Sequence, residues 1–193
     1  SGSYLDDDIA MGIERLSILD IEKGRQPIFS NDGRFVIVHN GEMYNYREIR
    51  GELQKIGYRF QTDTDTEVIV NLYQHKGLEC ISELNGMFVF SIYDLKKKEI
   101  FIARDRFGIK PLFYLNEGTD FIFASELKGI LAHPHANPTI SADAIDLYLT
   151  MEFVPAPFTI YKEIKKLEQG HYMLWSREGL ERRKWYKYSY QPK

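Results

Sequence analysis

Apolar residues in "YNYREIRGELQKIGY" recur at Ile49, Leu53 and Ile56, the spacing of one face of an α-helix. The pattern predicts a helix from Tyr46 to Ile56, closed by Gly57. A second helix is predicted from Asp65 through "TEVIVNLYQHK" to Gly77, with Asp65 as its N-cap and the glycine as its stop. A third, short one is predicted around "LECISEL", and a further one in "SADAIDLYLTM", capped by Ser141. Elsewhere the period falls to two. Strands are predicted within "IAMGIERLSIL" and "RFVIVHN", separated by the turn-rich "DIEKGRQPIFSNDG". After the third helix, "MFVFSIYD", "EIFIARD", "LFYLN" and "DFIFAS" read as an antiparallel meander, with "LKKK" and "NEGT" as hairpin connections. Two prolines make "EFVPAPF" an extended stretch, and "GHYMLWS" reads as a last strand. Strands, helices and strands again argue for an α+β fold, a helix-covered sheet with a second sheet.

One local signal conflicts with its surroundings. The apolar run "VIVHNGEMYN" contains Asn40-Gly41, a strong hairpin signal because both residue types tolerate positive φ. No second strand follows; the helical pattern of Tyr46 to Ile56 does. The pair is therefore expected at a strand-to-helix junction, where outward backbone N–H groups can serve chemistry.

Charge and cysteine content narrow the function classes. The 193 residues carry 25 basic and 28 acidic side chains, a net charge of -3 with no long run of one sign, so nucleic acid and anionic membranes are not expected partners. The basic, aromatic tail "RRKWYKY" is too short and isolated to change that. No apolar run approaches the ~18 residues of a membrane span and no signal peptide opens the chain, so a soluble, cytoplasmic protein is expected. The single cysteine, Cys80, lies among Leu78, Ile81 and Leu84 at helical spacing and reads as a packed structural thiol. His133 and His135 flank Pro134, but no third ligand is indicated and no metal is expected there.

Three polar sites interrupt apolar patterns: Arg15 in "IERLSIL", Asn40, Gly41 and Glu42 in "HNGE", and Asp63 and Asp65 in "TDTDTEVI". Singly, they can be a surface ion pair, a turn and a helix cap. Together they answer what a free amino acid bearing a side-chain amide requires. A guanidinium fork suits an α-carboxylate, carboxylates suit an α-ammonium, and paired N–H donors suit a developing oxyanion.

The segments "RLSILD", "GRQPI", "NGEMYNYREIR", "FQTDTDTEVI", "NGMFVFSIYD" and "ARDRFGIKPLFY" resemble the class II glutamine amidotransferase domain of the N-terminal-nucleophile hydrolases. "EFVPAPFTIYKEIKKLEQGHYML" is similar to asparagine synthetases in particular. The resemblance implies a four-layer αββα sandwich that hydrolyses glutamine to glutamate and ammonia for a separate synthetase domain, which activates aspartate with ATP and Mg²⁺. It implies that Arg15 binds the glutamine carboxylate, that Asn40 and Gly41 form the oxyanion hole, that Glu42 and Asp65 hold the amino group, and that main chain at Leu16 and Ile18 lines the pocket. It implies a structural role for the charges of "RDRFGIKPL". No cofactor is expected in this chain, and a homodimer is one assembly the resemblance allows. A related amidotransferase with another acceptor, and a catalytically dead glutamine-binding module, are the competing readings.

The sequence departs from the pattern at its start. The family nucleophile is an N-terminal cysteine whose free α-amine is the base, and no such cysteine precedes "SGSYLDDD". By the resemblance about fifty residues, including the first strand of the sandwich, are expected upstream. Ser1 lies too close to Arg15 to take over the role. No pyrophosphate loop is present either. The expectation is an incomplete amidotransferase domain over residues 1–182, a linker beginning over 183–193, and no glutamine hydrolysis by this chain alone.

Overall fold

The computed structural model describes residues 2–14, 24–118 and 120–190. At the start, β1 (Gly2–Leu5) and β2 (Ala10–Ile13) form a hairpin, a pairing that the sequence pattern at "SGSYL" does not announce. A six-stranded antiparallel sheet contains β3 (Ile28–Phe29), β4 (Phe35–Met43), β5 (Gly86–Asp94), β6 (Glu99–Arg104), β10 (His171–Ser176) and β11 (Gly179–Lys184), in the spatial order β11-β10-β6-β5-β4-β3. A smaller sheet orders β7 (Phe113–Glu117), β8 (Asp120–Ala124) and β9 (Lys165–Lys166) as β8-β7-β9.

Alternation along the strands assigns each face. Phe35, Ile37 and Met43 of β4, with Phe88 and Phe90 of β5, pack on Ile49 and Leu53 of α1 (Tyr46–Lys55) and on Val68, Ile69 and Leu72 of α2 (Asp65–Lys76). Val36, Val38 and Val89 face the other way, toward Met11, Leu112 and Tyr114. The far side of the small sheet buries Leu115 against Ile130 of α3 (Leu127–Leu131). Helices, large sheet, small sheet and helix thus stack as the expected four layers. Helix α4 (Ala142–Met151) has only Ala144 buried; Ser141 caps it, its Oγ accepting from Ala144 N at 3.3 Å.

Several sequence expectations need correction. The four strands after the helices are not one meander: β5 and β6 belong to the large sheet, β7 and β8 to the small one. The chain is redirected between them by "RDRFGIKP". Arg104 donates to Gly108 O and Lys110 O, each at 2.7 Å, and to Leu167 O. Asp105 accepts from Phe88 N, Phe107 N, Ile109 N and Lys110 N at 3.0–3.3 Å. Period-two hydropathy identifies strands but carries nothing about which strand each pairs with.

The N-cap of α2 is Thr64, whose Oγ1 accepts from Glu67 N at 3.3 Å, and Asp65 is the first helical residue, its carboxylate turned to another partner. The predicted helix at "LECISEL" is a 3₁₀ segment, Gly77–Glu83. Residues 183 and 184 lie within β11, and Trp185 follows packed in place, its Nε1 donating to Arg104 O at 3.2 Å. Among the described residues no helix is long and apolar enough to cross a membrane.

Candidate functional site

Asn40 and Gly41 lie inside β4, which continues to Met43 before α1 begins at Tyr46; the junction expected at this pair lies three residues further on. Its register explains how an interior strand residue can still offer a donor. Arg34 O accepts from Leu95 N, and Tyr44 N donates to Asn85 O, so even-numbered positions of β4 share the ladder bonds with β5. Gly41, opposite Phe88, is odd-numbered and directs its N–H toward the other edge. On that edge β3 reaches only Val36 and Ile37. The ladder therefore aims the Gly41 N–H at an edge that no strand among the described residues covers.

Only glycine fits there. Gly41 has φ +151°, and a Cβ at this position would lie 2.1 Å from Met87 O. The dipeptide that local rules read as a turn is a glycine needed for close approach of two strands.

Around this edge is a cavity of about 440 Å³, lined among others by Asn40, Gly41, Glu42, Asp65, Lys110 and Ser125. Asp65 reaches it from the first turn of α2 and is 3% exposed. Its Oδ2 accepts from Met43 N at 2.9 Å, and its Oδ1 lies 3.9 Å from His39 Nδ1. Asn40 projects to the face shared with Val38, where its Nδ2 stands 3.5 Å from Ser125 Oγ, at the outer limit of a hydrogen bond. Four of the residues expected from sequence therefore meet at one cavity. Arg15, Leu16 and Ile18 lie outside the described residues.

Other cavity-lining residues carry no local sequence signal. Gln26, in the turn-rich loop and within the "GRQPI" segment of the resemblance but given no role there, is buried against β4 and bonds both His39 N and His39 O. His39, read as a strand residue, is that, and its Nδ1 lies 3.1 Å from Thr66 Oγ1. Lys110 comes to the wall because Asp105 and Arg104 hold the loop before it. The Arg104 guanidinium has its pKa pushed down by burial. The positive charge is thus spent on three loop carbonyls inside the protein, consistent with the structural role expected of this segment.

Cys80 lies elsewhere. It is fully buried in the helix-side core, and burial, followed by the nearby Glu83 charge, pushes its thiol pKa up. His135 Nδ1 lies 2.6 Å from Asp120 Oδ2 at the surface, and among the described residues no group of three or more His, Cys, Asp or Glu side chains could hold a metal ion.

Residues 1–186 match the family described as the glutamine amidotransferase domain. Glutamine-hydrolysing asparagine synthetases 1 and 3 of Bacillus subtilis are 41% and 38% identical to the chain over 169 and 176 residues, covering 88% and 89% of it and 27% and 28% of themselves. A Methanocaldococcus jannaschii protein provisionally named as a glutamine-hydrolysing asparagine synthetase is 43% identical over 195 residues, with coverage of 92% and 37%. The chain thus spans well under half the length of these relatives. Among solved structures, glutamine phosphoribosylpyrophosphate amidotransferase from B. subtilis matches with a TM-score of 0.58 at 23% identity, over 83% of this chain and 32% of that one. The allosteric regulatory enzyme of purine biosynthesis matches with a TM-score of 0.60 at 22% identity, over 85% and 32%. At these identities the likeness is one of fold, the α+β sandwich of the amidotransferases.

Proposed function

The chain belongs to the glutamine amidotransferase domain family, homologous to the glutaminase domains of asparagine synthetases, and on that premise we propose that its cavity binds free glutamine. The observation that carries the reading is the meeting of Asn40, Gly41, Glu42 and Asp65 at one cavity beside an open strand edge. In this reading Asp65 and Glu42 receive the α-ammonium, and Arg15 takes the α-carboxylate through its fork. The Gly41 N–H and the Asn40 amide meet the γ-carbonyl and, during hydrolysis, the oxyanion that develops on it.

The parent activity we infer is release of ammonia from glutamine for ATP-dependent amidation of an acceptor, aspartate by analogy with the asparagine synthetases. Activation of the acceptor with ATP and Mg²⁺ falls to a synthetase portion outside this chain. The 193 residues are not expected to hydrolyse glutamine unaided, since their one thiol is sealed in the core with a raised pKa. Addition of glutamine to the purified chain should give a saturable calorimetric signal and no ammonia. In a full-length protein carrying this domain, Asn40→Ala should lower kcat for glutamine by roughly 10² to 10³ while ammonia-dependent synthesis persists. Equal loss of both activities would instead show general damage to the fold.

A further inference from the structure

The Gln26 side chain meets β4 where a paired strand would. Beyond Ile37 this edge of β4 is met, among the described residues, by the side chains of Asp65, at Met43, and of Gln26, which treats His39 as a neighbouring peptide would. Gln26 Oε1 accepts from His39 N at 2.6 Å, and its Nε2 donates to His39 O at 3.0 Å. The same Nε2 is 3.2 Å from Thr66 Oγ1, in the first turn of α2 beside Asp65. β1 passes close to the Gln26 backbone, where a Cβ at Gly2 would lie 1.9 Å from Gln26 O. This primary amide therefore joins the strand to the helix turn on the His39 side of Asn40 and Gly41, as the Met43 N–Asp65 Oδ2 bond does on the other side.

We propose that Gln26 is a positioning residue for amide recognition: it fixes the direction of the Gly41 N–H and the Asn40 side chain relative to Asp65. One bound glutamine then meets its ammonium partner and its carbonyl donors together. The proposal rests on the glutamine reading above. Hydrogen bonds weaken steeply with misalignment, and His39 is the residue through which any relaxation of the edge reaches Asn40. Without the Gln26 amide, the His39 peptide loses both edge bonds; the Met43 N–Asp65 bond still holds the far end of the segment, and Asn40 and Gly41 between the two anchors lose their aim.

The test compares two ligands on the 193-residue chain by calorimetry: L-glutamine, and L-norvaline, which keeps the α-ammonium, α-carboxylate and carbon chain but lacks the γ-amide. Wild type should prefer glutamine. In Gln26→Leu, glutamine affinity should fall about tenfold while norvaline affinity changes less than about twofold. Thr66→Val, which releases the far end of the tie together with the Thr66 contact to His39 Nδ1 and leaves both Gln26–His39 bonds in place, should give the same selective loss at about threefold and carries the test if Gln26→Leu does not fold. Equal weakening of both ligands in the folded variants, or an unchanged preference, overturns the positioning role alone. A wild-type chain that does not distinguish the ligands overturns the glutamine reading and this proposal with it.

Discussion

Asp105 and Asp65 are both buried carboxylates, 0% and 3% exposed, and both accept hydrogen bonds from backbone N–H groups. Asp105 takes four such donors, from Phe88, Phe107, Ile109 and Lys110. Its charge is consumed in folding the chain from one sheet to the other. Asp65 takes one among the described residues, from Met43 N, and lines the cavity. A carboxylate enclosed by backbone donors is architecture, whereas one that keeps an oxygen toward a cavity can receive a ligand cation. Burial alone does not separate the two.

The comparison breaks most visibly at Asp105. Asp105→Ala leaves buried N–H groups without acceptors and should lower unfolding free energy by about 4 kcal/mol in urea titrations; a loss below about 1 kcal/mol would show that the loop holds itself without the carboxylate. Gly41→Ala should cost about 3 kcal/mol, since the new Cβ meets Met87 O and the backbone sits at positive φ. It should also abolish glutamine binding. Asp65→Asn isolates the ligand side of the contrast. An asparagine oxygen can still accept from Met43 N, so stability should change by no more than about 1 kcal/mol, while glutamine binding should weaken by about 2 kcal/mol in calorimetry. Stability loss without binding loss would place Asp65 with Asp105.

Asp94 gives the smallest effect and a third kind of carboxylate. Burial tends to raise its pKa, but the Arg34 fork at 2.6 and 3.0 Å, with the N–H groups of Lys97 and Lys96, outweighs burial and holds it below the ordinary carboxylate value. A depressed native pKa means that the stabilisation is complete above the unfolded value near ~4 and lost as pH falls through the native value. Asp94→Asn should therefore cost about 1 kcal/mol at neutral pH and flatten the acid limb of the stability curve. Unfolding curves for the two proteins that stay parallel down to acid pH would remove Asp94 from the acid response.

The helices and the cavity's acidic and amide groups were legible because each signal is local. Ile49 and Leu53 mark a face within one helix, and Asn40, Gly41 and Glu42 are contiguous. Even so, the rule that recognises Asn-Gly as a turn misplaces it, since Gly41 answers to Met87 on the neighbouring strand. The division of the predicted meander into two sheets depends on Asp105 and Arg104 acting on a loop, and hydropathy does not weigh hydrogen bonds. Gln26 was illegible for a related reason. Its partners His39 and Thr66 lie 13 and 40 residues away in sequence, so its function as a substitute strand exists only after the chain has folded. The expected roles of Arg15, Leu16 and Ile18 fall on residues outside those described.

Helix α4 carries a kinetic consequence of its exposure. Ile145, Tyr148 and Leu149 stand in water, and Ala144 alone is buried, so little apolar contact opposes unwinding of those ten residues. A helix of this length gains its persistence from packing rather than from its own backbone bonds. In deuterated buffer its amides should exchange by local opening, far ahead of the amides bonded between β4 and β5, whose protection waits on unfolding of the whole sandwich.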